Sequence, residues 1–440
     1  MGKLFHRSLN GVHVEHHKNT AEMKAVRMPV PAKVILPMIQ HMGGESAVLV
    51  KVGEEVKVGQ KIGEGQGFLC ANVYSSVSGK VKAIIDYITP MGAKCKAVEI
   101  ETDGLQTVSE TVAKPQINSQ EDLIEAAKNC GLVGLGGAGF PTHIKLNPKN
   151  LDAVDTLIVN GAECEPYITC DTRLMIDNSD LLIEGIKLVM KHLRLKEAVI
   201  GIEDNKPEAI AHLTEKLSGE SNITVKALKS KYPQGGEKVL AYECTGRVIK
   251  EGALPADSGV IINNVTTLAK LAEFANTGMP LVEKTLTVDG SAIKNPQNVI
   301  VPIGTRVSDV VEFCGGYVDT PKKILMGGPM MGLALPNDEY MVIKNTNAIL
   351  AFLPKDSEIF DETACIRCGR CMRACPIDLA PAELDRAYHS QNIDALKALK
   401  VNLCMECGCC SYVCPARRNL AMYNKLGKQL LRQEQQKNRG

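Results

Sequence analysis

The sequence predicts a multidomain α/β protein with an all-β N-terminal domain, a central α/β domain, a small β-rich domain and a helical, cysteine-rich C-terminal domain. Three observations predict it. Short apolar runs broken by glycine fill residues 30–103. Apolar strand-like runs alternate with amphipathic helical ones from 120 to about 270, the pattern of a mainly parallel sheet. The last sixth of the chain carries one cysteine pattern twice.

At 440 residues there is room for several domains with their own cores. The composition, 45% hydrophobic and 23% charged, is that of a globular protein, and a formal net charge of +1 gives no case for nucleic-acid binding. Trp is absent and Phe numbers only 7, so the cores are expected to be aliphatic. No run of eighteen apolar residues predicts a transmembrane span. His6, Arg7, Asn10, His13, Glu15 and His16 interrupt any signal-peptide core at the N-terminus. Sixteen cysteines raise the possibility of a disulfide framework. Tight CxxC spacing in a long chain without a secretion signal favours a reducing compartment and metal ligation instead.

The first domain, 1–119 with its linker, has strands at 48–52, 56–58, 71–74 and 81–85, each ending at or near Gly53, Gly59 or Ser78-Gly79. Residues 52–85 resemble a biotinyl/lipoyl-type barrel-sandwich hybrid. Lys80 does not lie in the Met-Lys-Met-like turn of such carriers, so the domain reads as structural or as a docking surface. Residues 104–119 are polar, contain Lys114-Pro115, and read as a linker. The second domain, 120–275, is expected to be Rossmann-like, with helices at 122–130, 179–193 and 207–217 and strands at 155–160 and 197–202. The third, 276–357, has two strands about Asp289-Gly290 and a helix at 307–314, the size of a β-grasp-like fold. A glycine- and methionine-rich segment, 325–336, then leads to a return strand at 340–353. The last domain, 358–440, is expected to be helical and ferredoxin-like, with one helix from 381 to about 400. Lys425, Lys428, Arg432, Lys437 and Arg439 face only Glu434 in the tail, which reads as a frayed solvated end or a contact for an anionic partner.

Cys365, Cys368, Cys371 and Cys375-Pro376 form a C-x₂-C-x₂-C-x₃-C-P run, and Cys404, Cys407, Cys410 and Cys414-Pro415 repeat it. This is the spacing of a two-cluster ferredoxin, in which the fourth cysteine of each run serves the other [4Fe–4S] cluster. One cluster then takes Cys365, Cys368, Cys371 and Cys414, and the other Cys404, Cys407, Cys410 and Cys375. Two Cys₄ zinc sites are the alternative, but zinc does not require the full run with its proline twice. Cys409 reads as a buried thiol beside the ligands. Cys70, Cys95, Cys130, Cys244 and Cys314 read as core cysteines, and Cys164 and Cys170 as non-ligands.

The stretch Gly131-Leu-Val-Gly-Leu-Gly-Gly-Ala-Gly-Phe-Pro-Thr142 has five glycines in nine positions. That much backbone freedom is costly to order. It suits backbone that must approach a phosphate or a flat ring, or a plain packing loop. It is not the dinucleotide fingerprint, because a helix precedes it instead of a strand. Lys145 can reach a phosphate as a point charge. Asn160-Gly-Ala-Glu163-Cys-Glu165-Pro, Tyr232-Pro-Gln-Gly235-Gly-Glu237 and Asn263-Asn264-Val-Thr266-Thr267 each lie at a predicted strand end, where open α/β sheets place ligands. Each alone reads as a capping turn, with Thr266 able to cap the helix that follows.

Together these stretches and the paired cysteine runs resemble the RnfC family, whose members belong to the Rnf membrane ferredoxin:NAD⁺ oxidoreductases coupled to ion translocation. The likeness covers essentially the whole chain, including Gly11-Val-His13 and Gln40-His41-Met-Gly43 through Gly79. A more distant likeness is to the flavin subunit of respiratory complex I. The resemblance implies two [4Fe–4S] clusters, FMN, and NAD(H) as substrate. Gly134, Gly136, Gly137 and Lys145 would contact the FMN, and Asn160, Glu163, Glu165, Gly235, Asn263, Asn264 and Thr266 would complete its site. Phe140 and Glu237 would lie towards the nicotinamide nucleotide. No catalytic side chain is implied, since hydride transfer is the flavin's chemistry. Leu135, Ala162 and Gly236 replace an arginine, an aspartate and a glutamate of the complex I pattern, each removing a polar contact near the nucleotide. The implied setting is the cytoplasmic face of a membrane, among membrane and iron–sulfur subunits, with ferredoxin as an indirect partner. Two other readings share part of the evidence: a flavin and iron–sulfur corrinoid reductase, and an electron-conducting docking module with a vestigial nucleotide pocket.

Overall fold

The computed structural model describes residues 9–437; His6, Arg7 and Arg439 lie outside them. At the centre is a four-stranded parallel sheet in the order Ile223–Leu228, Glu197–Glu203, Thr156–Asn160, Val260–Asn264. Both faces are covered, so Leu157 and Val159 face one apolar cluster while Ile158 faces another. The helices Ser179–Leu193 and Val265–Thr277 cover the first face. They approach so closely that a Cβ on Gly185 would stand 2.1 Å from the Leu268 carbonyl oxygen. The helix Glu237–Thr245 covers the other face through Leu240, Ala241 and Cys244. Asn160 and Asn264 end adjacent strands side by side.

The N-terminal domain has two antiparallel sheets, one ordered Lys33–Pro37, Lys94–Thr102, Gly79–Ile88, Glu55–Val56 and the other Ala47–Val48, Lys61–Glu64, Val73–Tyr74. The strand expected over 48–52 is only Ala47–Val48, and Val52 is solvent-exposed. A fourth, six-stranded sheet runs Val26–Arg27, Gln297–Pro302, Glu283–Asp289, Ala348–Phe352, Lys323–Met326, Leu333–Leu335, with the helix Val307–Phe313 against it. The return strand is Ala348–Phe352, shorter than expected over 340–353. Before it, Thr346 N–H donates to the Ile343 carbonyl (3.0 Å) and Ile343 N–H to Thr346 Oγ1 (3.0 Å), closing a turn.

Two expectations for the last domain are corrected. The helix over 381–400 is two, Pro381–His389 and Ile393–Ala398. Gln391 adopts φ 50°, and Asn392 caps the second by accepting from Ala395 N–H at 2.9 Å. The basic tail is no frayed end up to Lys437. It belongs to the helix Leu420–Lys437, whose Leu431 is 2% exposed, and Lys428 Nζ donates to Glu406 Oε1 (2.6 Å) and the Cys404 carbonyl (3.1 Å).

Residues 12–27 leave the N-terminal domain and run as a strap across the others. Val12 pairs with Tyr232, Tyr167 N–H donates to the His16 carbonyl at 2.9 Å, and Val26–Arg27 joins the six-stranded sheet parallel to Gln297–Pro302.

Candidate functional site

The glycine-rich stretch follows the helix Gln120–Asn129 and folds back on itself, with Gly134 N–H donating to the Phe140 carbonyl (2.8 Å) and Gly139 N–H to that of Gly134 (3.2 Å). Leu135 N–H donates to Thr267 Oγ1 at 3.0 Å, fastening the loop to the central helix. At its tip Gly136, Gly137 and Ala138 are exposed, and among the described residues their N–H groups meet no protein acceptor. Gly137 holds φ 121°, which L side chains rarely adopt, and a Cβ on Gly136 would reach Asn264 Nδ2 at 3.0 Å. Next to Asn264 on the strand Val260–Asn264, Asn263 is 3% exposed and its Nδ2 has no partner. Exposed backbone amides on a glycine turn and an unpaired buried amide donor on the adjoining strand fit an oxygen-rich, planar group carrying a phosphate, as FMN does.

Lys145 Nζ pairs with Glu237 Oε1 at 2.7 Å, so the expected phosphate and nucleotide contacts stand together, while Phe140, just before Lys145 in the chain, is half-buried. Asn160 Nδ2 donates to the Gly235 carbonyl at 2.9 Å, tying two of the motif turns to each other. The other polar candidates are turned to protein. Glu163 accepts from Asp171 N–H (2.7 Å), Thr172 N–H (3.2 Å) and the Thr172 hydroxyl, at the start of the helix Cys170–Asp177. Burial, with Asp171 nearby, pushes its carboxyl up to about 7 against the pull of Lys18. Glu165 accepts from the N–H groups of Met330 (3.0 Å) and Met331 (2.8 Å), and Gly328 leaves room for it. Thr266 does not cap its helix. Asn264 does, accepting from Thr266 N–H (3.0 Å) and Thr267 N–H (3.3 Å).

Two residues that sequence reasoning missed organise these turns. Asp171 accepts from Asn264 Nδ2 (2.7 Å) and Thr266 Oγ1 (2.5 Å). Lys18, on the strap, donates to the carbonyls of Glu163 (2.8 Å), Glu165 (2.8 Å) and Ile168 (2.6 Å). The only sequence signal for Asp171 was its place shortly after the Glu163 turn, and for Lys18 there was none.

On the loop's inner side, His41 of the N-terminal domain lies with its Cα 3.5 Å from where a Cβ on Gly139 would stand, and neither ring nitrogen has a partner. Burial, then Lys344 and His143, push its pKa down to about 4 from 6.5. The folded state therefore refuses a proton that the unfolded chain accepts. Stability from this residue is full above pH 6.5 and falls by about 3 kcal/mol as pH drops towards 4. Urea unfolding between pH 7 and 4 is expected to show a smaller loss of stability in His41→Asn than in the unmodified chain.

In the C-terminal domain Cys375, Cys404, Cys407 and Cys410 line one small pocket, with Cys409 on its wall. Cys371, Cys410 and Cys414 lie in one apolar cluster, and Cys365 and Cys368 are exposed. Four thiols converging on one pocket, three at the C-x₂-C-x₂-C spacing and a fourth from the other run, fit a cube of iron and sulfide. Cys409 is buried, and its thiol donates to the Tyr232 carbonyl at 3.6 Å. This cavity adjoins the central domain. Lys238 Nζ donates to the Leu403 carbonyl at 3.4 Å, a Cβ on Gly236 would meet Met405 Cε at 3.4 Å, and Cys164, Tyr232, Cys407 and Met330 share one apolar cluster.

Fold and site together define a flavin- and iron–sulfur-dependent electron-transfer protein. Four family models match in succession: the RnfC barrel sandwich hybrid domain (6–105), the Nuo51 FMN-binding domain (127–273), the SLBB domain (285–334) and the 4Fe-4S dicluster domain (357–425). The chain belongs to the RnfC family of the ion-translocating ferredoxin:NAD⁺ oxidoreductase complexes. It is 42% identical to the RnfC-type member of the proton-translocating complex of Clostridium ljungdahlii, over 85% of this chain and 82% of the relative. It is also 42% identical to that of the Na⁺-translocating complex of Acetobacterium woodii, over 87% and 86%. The corresponding member of the ion-translocating oxidoreductase complex of Rhodobacter capsulatus is 37% identical, over 89% and 76%. Among solved structures, a chain of the NAD⁺-reducing [NiFe]-hydrogenase aligns over 71% of this chain and 61% of its own, at 18% identity and a TM-score of 0.49.

Proposed function

We propose that this chain exchanges electrons between NAD(H) and an iron–sulfur partner, as a peripheral subunit of a ferredoxin:NAD⁺ oxidoreductase coupled to ion translocation. The observation that carries this reading is the packing of the Cys375, Cys404, Cys407 and Cys410 cavity against the turns at Cys164 and Tyr232 beside the glycine loop. Bound FMN supplies the exchange of a hydride with NAD(H) and of single electrons with [4Fe–4S] clusters. The chain's own residues hold and shield. The amides of Gly136 to Ala138 and the side chains of Asn263 and Lys145 face the cofactor, while Asp171, Glu163 and Lys18 fix the turns that carry them. Phe140 and Glu237 border the nucleotide side. Buried Tyr232 and Cys409, with partly buried Met330 packed against them, keep water from the passage to the inner cluster.

In this reading the cluster on Cys375, Cys404, Cys407 and Cys410 is the inner one, and that on Cys365, Cys368, Cys371 and Cys414 the outer. Exposed Arg367, Arg370, Arg373 and Arg417, with Ile366 and Met372, surround the outer run. An acidic iron–sulfur subunit fits that face, at the cytoplasmic surface beside the membrane subunits and supplied in turn by ferredoxin. Among the described residues no helix is long and apolar enough to cross a membrane.

Anaerobic titration of the cluster-reconstituted full chain with NADH tests the reading. Bleaching of a bound flavin band followed by the appearance of reduced-cluster EPR signals is expected. A chain that retains no flavin, or whose flavin never bleaches, is a docking module and not a redox enzyme.

A further inference from the structure

Lys284 and Asn345 lie outside the FMN-binding family match, yet both donate to carbonyls of the glycine loop. Lys284, fully buried on the strand Glu283–Asp289, donates from Nζ to the Leu135 carbonyl at 3.0 Å. Asn345, in the turn before the return strand, donates from Nδ2 to the Gly137 carbonyl at 2.7 Å, and its own Oδ1 has no partner. A trans peptide points its C=O and the next residue's N–H in opposite directions. Drawing the Leu135 oxygen towards Lys284 therefore turns Gly136 N–H the other way. Drawing the Gly137 oxygen towards Asn345 does the same for Ala138 N–H. These are two of the tip amides that meet no protein acceptor.

We propose that Lys284 and Asn345 are positioning residues that aim the Gly136 and Ala138 amides at the cofactor, an inference that rests on the glycine loop being the FMN site. Each of these peptides has a glycine on one side, Gly136 after the first and Gly137 before the second, so without the two donors each is freer to flip. The β-grasp-like domain and its return segment then act as part of the flavin site without touching the flavin. Neither residue need contact the ligand for its loss to be felt there.

The test measures the FMN dissociation constant of the cluster-reconstituted full chain by flavin fluorescence, with the visible circular dichroism of the bound flavin as a second signature. Lys284→Met and Asn345→Leu remove the donors, and Lys284→Gln keeps one. About a tenfold or greater rise in the FMN dissociation constant is expected for the first two, with altered dichroism at saturation. Lys284→Gln is expected closer to the unmodified chain. Asn345 is half-buried, so its variant is expected to keep its iron content and melting temperature even if Lys284→Met folds poorly. A folded Asn345→Leu with FMN affinity within about twofold of the original overturns the proposal. So does Lys284→Gln behaving like Lys284→Met. An unmodified chain that binds no FMN overturns the flavin site itself, and is recognised as such because every variant then reads alike.

Discussion

Cys375→Ala is expected to abolish the same [4Fe–4S] signal as Cys407→Ala, and to leave intact the signal that Cys368→Ala abolishes. Sequence distance argues the other way, since Cys375 lies seven positions from Cys368 and far from Cys407. The fold brings Cys375 into the cavity lined by Cys404, Cys407 and Cys410, while Cys414 packs with Cys371. Iron content is expected to fall from about eight to about four atoms per chain in each variant. The paired EPR spectra then say which cysteines share a cluster. FMN binding is expected to survive all three substitutions, because no ligand cysteine reaches the glycine loop. NADH would still reduce the flavin in Cys407→Ala, but delivery to the outer cluster would fail. In Cys368→Ala the inner cluster would still be reduced. Should Cys375→Ala and Cys368→Ala lose the same signal, the crossed ligation is wrong.

Lys344→Met is the most damaging single change expected outside the cysteines. Its ammonium is buried and donates to the carbonyls of Asn72, in the N-terminal domain, and of Gly131 (2.7 Å), at the root of the glycine loop. Burial pushes its pKa down to about 7. Methionine matches the length but leaves two buried acceptors without donors. Each stranded acceptor costs about 1–3 kcal/mol, offset in part because no amine need then be desolvated, for a net loss of about 2–4 kcal/mol. Chemical denaturation monitored by tyrosine fluorescence measures the loss. A midpoint unchanged from the original would mean that the three domains meeting at Lys344 do not depend on it.

Elements whose period is strong were legible in the sequence: the helix Ser179–Leu193 stands where its apolar spacing placed it, and the strands Thr156–Asn160 and Glu197–Glu203 differ by at most a residue at either end. Elements carried by tertiary context were not. The strand Ile223–Leu228 shows only two buried residues, and the helix Glu237–Thr245 begins inside a glycine turn. At the site, the glycines and Asn263 read as ligand-facing on local chemistry alone, and the exposed tip amides and unpaired Asn263 Nδ2 leave both open to ligand. Glu163, Glu165, Asn264 and Thr266 were legible as important, but whether they meet ligand or protein depended on Asp171, Lys18 and Met330, whose places no spacing reveals. The broken helix at Gln391 and the packed terminal helix show the same limit, since one left-handed residue and one buried leucine decide them.

The strap of residues 12–27 sets an order of events during synthesis. Val26 pairs with Val299, so this strand finds its partner only after roughly 270 further residues have followed. Lys18 is made before the turn around Glu163, so it can gather that turn's carbonyls well before Val26 finds its partner. The strap is therefore seated in stages, its lysine closing on the Glu163 turn before its strand joins the six-stranded sheet.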